Sequence, residues 1–236
     1  MNEHQTSPSG AAVGTLPAAV LWDFDGTLID TEPIWIRNEF TLTEELGGRW
    51  TDELAKANIG NSLIMTGRSI RLTAGREDLT DAQVTDMLVA RVLADLRVAD
   101  LEWRPGVQDL LAELRTEGIP CALVSASFRD MLHVVLARMG ENPFVAVVGG
   151  DDVTHGKPHP EPYLTAAARL GVRAEDCLVV EDSITGADSG NAAGCLVAVV
   201  PNVVTPPDAE RRVRLDTLAN VRVADLRRLM ATEQTR

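Results

Sequence analysis

With 236 residues, 45% of them hydrophobic and 24% charged, the chain has room for one large or two modest globular domains with a real core. Its formal net charge of −13 argues against a nucleic-acid partner, because phosphate backbones are gripped by clustered Lys and Arg. An anionic small molecule stays open, since one metal ion and one lysine reverse the field locally, and no apolar run reaches the ~18 residues of a membrane span.

In chain order, residues 1–16 are rich in Ser, Gly, Ala, Thr and Pro. They lack a basic start followed by an apolar stretch, so they read as a disordered leader and not as a signal peptide. Continuous apolar runs at 18–23, 119–125, 145–149, 177–181 and 196–200 read as strands with both sheet faces covered. Between the later ones lie helical patterns over Val107–Glu117, Arg129–Met139, Pro162–Leu170 and Ser183–Ala193, each closed by a glycine. This alternation predicts an α/β fold with a doubly wound parallel sheet. From Pro33 to Arg104 no strand run occurs; three or four helical patterns do, the clearest over Asp81–Val98. The tail after Leu229 reads as polar and frayed. Cys121, Cys177 and Cys195 sit in or beside apolar runs, which predicts reduced core thiols and a cytoplasmic protein.

The chemistry concentrates at strand ends, where open α/β sheets bind ligands. Asp23 and Asp25 end the first run two residues apart, so they share a face, and Gly26 lets the chain turn sharply after them. The second run ends in Ser125-Ala126-Ser127. Gly156-Lys157-Pro158 holds a lysine in a rigid loop, and the fourth run ends in Glu181-Asp182. Two carboxylate pairs, a hydroxyl and a cation equip a site for phosphoryl transfer through a carboxylate nucleophile. As a bland alternative, Asp182 or Ser183 serves as a helix N-cap.

In this order, the four motifs resemble the haloacid dehalogenase (HAD) superfamily of phosphatases and mutases over roughly residues 17–225. The resemblance implies a Rossmann-like core built from residues 17–32 and 104–225, a helical cap domain at 33–103, and a C-terminal tail at 226–236. It makes Asp23 the nucleophile and Asp25 the acid–base that protonates the leaving alkoxide. Mg²⁺ is the implied cofactor, held by Asp23, Asp182 and the carbonyl of Asp25. Glu181 acts through water or by pairing with Lys157. Ser125 and Lys157 bind the phosphoryl oxygens, with backbone N–H groups of Phe24 to Gly26 and of Ala126 beside them.

The implied function is a Mg²⁺-dependent phosphatase acting on a small phosphorylated metabolite through an aspartyl-phosphate, as a monomer or homodimer. The alternatives are a β-phosphoglucomutase-like sugar phosphate mutase and a catalytically idle binding module. A dehalogenase is disfavoured, because it needs no metal and leaves Glu181-Asp182 unexplained. Against the mutase stand two positions. Where that branch carries a histidine, ten residues after the second aspartate, this chain has Trp35, read as a packing residue at the cap hinge. Where it carries a phosphate-binding arginine, the loosely aligned residue is Leu63. Gly60-Asn61-Ser62 is a candidate substrate loop, Asp30 a candidate helix cap, and Ser189 a packing change. His155 and His159 flank the lysine without zinc spacing.

Overall fold

A computed structural model describes residues 15–59 and 61–234, so the expected leader, apart from its last two residues, and Gly60 lie outside the described residues. Six parallel strands form one sheet: β1 (Ala19–Trp22), β2 (Cys121–Val124), β3 (Ala146–Val148), β4 (Cys177–Glu181), β5 (Leu196–Val199) and β6 (Arg212–Arg214). Their order is β3-β2-β1-β4-β5-β6. The chain winds outward from β1 through β2 to β3, then crosses back to place β4 on the other side of β1. The carboxyl ends of β1 and β4 therefore flank the switch point, the place where such sheets bind ligands. Both strands are buried along their whole length, which is why their sequences show no alternation. The edge strand β6 is half-exposed, and its Arg-Val-Arg sequence carries too little apolar signal to be read in advance.

Helices α1 (Glu32–Glu45), α2 (Asp52–Asn58), α3 (Leu63–Thr73) and α4 (Asp81–Leu96) lie between β1 and the rest of the sheet's chain. Their apolar faces, including Leu42, Ile70, Leu88 and Val92, belong to the same buried cluster as Val20 and Trp22 of β1. The chain leaves and re-enters the sheet region through paired strands of backbone: Asp30 N–H donates to Glu102 at 3.1 Å and Arg104 N–H to Leu28 at 2.9 Å.

Helices α5 (Val107–Thr116), α6 (Arg129–Arg138), α7 (Glu161–Leu170) and α8 (Ile184–Ala192) cover the sheet. The glycines after them, Gly118, Gly140, Gly171 and Gly194, all have positive φ between 70° and 85°, the left-handed turn that ends a helix at little cost only in glycine. The expectation of a frayed tail is overturned as far as Gln234, and residues 235–236 lie outside the described residues. Residues Val223–Gln234 form a further helix, α9, whose Leu226 and Met230 are buried against the core. Its apolar residues recur at helical spacing, but Arg227, Arg228 and the polar end mask them. Among the described residues no helix is long and apolar enough to cross a membrane. All three cysteines are buried and free, and burial pushes the Cys121 thiol up to about 11.

Candidate active site

The strand ends bring the first aspartate and the lysine together. Lys157 Nζ donates to Asp23 Oδ1 at 2.6 Å, to Glu181 Oε1 at 2.6 Å and to the Val124 carbonyl at 3.0 Å. All three ammonium protons thus have partners, in a side chain only 4% exposed. Tyr163, the one tyrosine in the chain, adds its hydroxyl to Glu181 Oε1 at 2.9 Å and lays its ring 5.0 Å from Nζ.

Glu181 is fully occupied. Its Oε2 accepts from the N–H groups of Asp182 and Ser183 and from the Ser183 hydroxyl at 3.0–3.1 Å. Of the two roles open to it in the sequence, the geometry matches pairing with Lys157. Gly186 is required here, because a Cβ on it would come within 1.6 Å of Glu181 Oε1. Capping of α8 falls to Ser183, which accepts from Gly186 N–H at 3.0 Å. Asp182 is left free for other work; its Oδ1 accepts from the Thr27 hydroxyl at 2.9 Å.

Asp23, Glu181 and Asp182 place carboxylate oxygens within 4.8 Å of one another, all three buried. Burial pushes Asp23 above its ordinary value, and Glu181 adds to the rise; Lys157 opposes it without cancelling it. Asp182 is raised for the same reasons, burial first and then the charges of Asp23 and Glu181. Burial acts to lower Lys157, but Asp23 and Glu181 outweigh it and hold the ammonium charged. One ammonium does not offset three acids, so the cluster is short of positive charge. Its donors are hard oxygens, the kind Mg²⁺ takes, and a divalent cation relieves the repulsion that raises Asp23 and Asp182.

Asp25 is gripped by four side chains. Thr31 Oγ1 and Trp35 Nε1 donate to its Oδ1 at 2.6 Å and 3.1 Å. Ser127 Oγ and Ser125 Oγ donate to its Oδ2 at 2.7 Å and 3.2 Å. Ser127 was not singled out in the sequence, yet the two-residue alternation that pairs Asp23 with Asp25 also pairs Ser125 with Ser127. The reading of Trp35 as packing alone is corrected, since its buried indole also supplies a donor to Asp25. Asp30 does not cap α1. The residue at that position is Thr31, and Asp30 instead accepts from Asn202 at 3.4 Å. The N–H of Gly26 already donates to Ile29 at 2.9 Å, so it is not presented to a phosphate. The glycine is needed for its φ of +85° and because a Cβ would lie 2.3 Å from Asp182 Oδ2.

Asp23, Asp25, Lys157, Asp182 and Ala126 open into a cavity of about 80 Å³, roofed by Trp35, Glu39, Asn58 and Leu63 from the inserted helices. His155 and His159 do not line it. They lie on the surface beside Glu161, whose two oxygens already accept from the N–H groups of Thr154 and His155. Ser189 does more than pack: its hydroxyl donates to the His159 carbonyl at 2.6 Å and ties α8 to the lysine loop.

The sequence pattern of the haloacid dehalogenase-like hydrolases matches residues 17–194. The chain belongs to that family. It is 31% identical over 220 residues to hexitol phosphatase B of Escherichia coli O157:H7, covering 91% of this chain and 95% of that protein. Its fold matches β-phosphoglucomutase from Clostridium difficile with a TM-score of 0.81 over 93% of this chain and 99% of that one, at 20% identity. It also matches CbbY from Rhodobacter sphaeroides, solved with phosphate, with a TM-score of 0.74 at 26% identity, over 90% of this chain and 99% of that one. The sheet with its covering helices is thus the family's architecture, and the chain is a hydrolase.

Proposed function

We propose that this hydrolase is a Mg²⁺-dependent phosphatase that cleaves a small phosphorylated metabolite through an aspartyl-phosphate on Asp23. The observation that carries the reading is the buried Asp23–Lys157–Glu181 bridge beside Asp182, at the switch point of the sheet and open to the cavity. Similarity to a named hexitol phosphatase supports a phosphorylated polyol or sugar as the substrate class. In this reading residues 33–103 form a cap over a core of residues 17–32 and 104–225.

Asp23 and Asp182 would hold the metal with the Asp25 carbonyl, while Glu181 keeps Lys157 in place. The bound cation would neutralise charge on the phosphoryl oxygens and bring Asp23 into its anionic form. Lys157 adds the second positive charge toward the same oxygens. Asp23 attacks phosphorus, and the departing alkoxide takes a proton from Asp25. Asp25 then accepts a proton from the water that attacks the aspartyl-phosphate, releasing phosphate and restoring Asp23. The grip of Thr31, Trp35, Ser125 and Ser127 fixes where Asp25 stands for both transfers.

The test is a panel of phosphorylated sugars, polyols, nucleotides and glycolytic acids, assayed for phosphate release with Mg²⁺, after dialysis into EDTA, and after Mg²⁺ is restored. Activity that vanishes with EDTA and returns with Mg²⁺ is expected. Full turnover in excess EDTA refutes the mechanism.

A further inference from the structure

The roof of the cavity has an electrostatic character that the catalytic floor does not require. On α1, Glu32, Trp35 and Glu39 fall three and four residues apart and so form one stripe along one face. All three line the cavity. Trp35 reaches down to Asp25, and Glu39 sits one turn further along the helix, roughly 6 Å beyond it. Glu39 is only 6% exposed, and Trp50 Nε1 donates to its Oε2 at 3.2 Å.

Asn58 and Asn61 line the same cavity. Asn58 donates through Nδ2 to the Leu54 carbonyl at 2.7 Å and to Ser69 Oγ at 3.3 Å, and Asn61 donates to the Ala57 carbonyl at 3.1 Å. Lys157 is the sole cation among the described residues that line the cavity, and it is held by Asp23 and Glu181 on the floor.

We propose that Glu39, with Glu32 beside it, is a specificity-determining subsite that accepts hydrogen bonds from the hydroxyls of an uncharged polyol carried on a phosphate monoester, and that excludes substrates with a second phosphate or a carboxylate at that end. This inference rests on the phosphatase reading and deepens it. The carboxyl oxygens of Glu32 and Glu39 can accept from hydroxyl donors, whereas a second anion there meets two acids and no cation. Burial pushes Glu39 up to about 7, and a carboxyl close to half-protonated at neutral pH suits a hydroxyl better than an ionic partner.

The test compares sorbitol 6-phosphate with fructose 1,6-bisphosphate, using the full chain with Mg²⁺. The native protein is expected to favour the monophosphate in kcat/KM by ~100-fold, as two acids opposing an anion with no cation beside them imply. Glu39→Gln is expected to lose ~10-fold on the monophosphate, mainly through KM, and Glu39→Lys to narrow or invert the preference. Because a buried lysine threatens folding, each variant is checked by circular dichroism, and the Gln variant decides if the Lys variant is unfolded. A second arm measures calorimetric binding of both compounds to Asp23→Asn, which reads the subsite whether or not turnover occurs. Preference for the bisphosphate, or a selectivity ratio that Glu39→Gln leaves unchanged, overturns the subsite. Selective binding in the calorimeter without hydrolysis of any ester by the native protein overturns the phosphatase reading and leaves the subsite standing.

Discussion

Glu39 gives a stability prediction that is independent of substrate. Its carboxyl is pushed from an ordinary 4.5 to about 7 by burial, with the Trp50 indole pulling weakly the other way. An acid raised on folding binds its proton more tightly in the folded chain than in the unfolded one. Its contribution is therefore neutral below about pH 4.5 and turns increasingly unfavourable as pH rises towards 7, above which the penalty is constant. At about 1.4 kcal/mol per pH unit, the full penalty is about 3 kcal/mol above pH 7. Replacing Glu39 with Gln removes the titration while keeping an oxygen for Trp50 Nε1 and nearly the same volume. The variant should thus gain up to about 3 kcal/mol over the native protein at pH 8, or several degrees in Tm for a chain of this size, and close to nothing at pH 4.5. Paired urea melts at pH 4.5, 6 and 8, in EDTA to keep metal binding out of the comparison, read the difference directly. A gain that is the same at every pH, or largest at pH 4.5, refutes the assignment of a buried, proton-retaining Glu39.

The remaining predictions concern the catalytic floor. Asp23→Asn should abolish turnover and covalent labelling, because an amide is a poor nucleophile; quench-flow detection of phosphoenzyme in this variant contradicts the assignment. Asp25→Asn should bind substrate but lose ~10²–10⁴ in rate, the usual scale of general acid–base help. Trp35→Phe removes one donor to Asp25 while keeping the aromatic bulk, so kcat should fall ~10-fold with KM little changed; an equal rise in KM with kcat intact marks Trp35 as packing after all. Finally, the resemblance sets Trp35, and the loosely aligned Leu63, where the mutase branch carries histidine and arginine, so β-glucose 1-phosphate incubated with a bisphosphate primer and Mg²⁺ should yield inorganic phosphate faster than glucose 6-phosphate. The reverse order overturns the preference for hydrolysis over mutation.

The floor of the site was legible because strand ends announce themselves. Continuous apolar runs mark β1, β2 and β4, and the polar residues that stop them, Asp23, Ser125 and Glu181, fall where the sheet presents its carboxyl edge. Residues that act from elsewhere gave no such mark. Tyr163 occupies an apolar position of α7 and looks like core until its hydroxyl is seen on Glu181. Gly186 reads as a weak helix residue until Glu181 is found filling the space of its missing Cβ. Trp35 satisfies two demands, packing and donation, and its sequence context signals only the first. The roof was illegible for a different reason. Glu39 is one of many acids in a chain of net charge −13, and only tertiary folding buries it opposite the floor.

That surplus of acid also bears on how a small anion is oriented. Among the described residues that line the cavity, positive charge is confined to Lys157, beside the cation that Asp23 and Asp182 are proposed to hold. Every other charged group among the described residues lining the cavity is an acid: Asp25 beside the floor, and Glu32 and Glu39 on the roof. A phosphate monoester entering such a field is stable in one sense only, with its phosphoryl group down and its uncharged remainder towards α1. The reversed pose sets two negative charges against Glu32 and Glu39 and leaves the floor cation without its anion. Orientation, on this argument, is set by where the chain withholds positive charge as much as by where it places it. The acids of the roof would then serve the same end as Lys157 from the opposite side, by delivering phosphorus to Asp23.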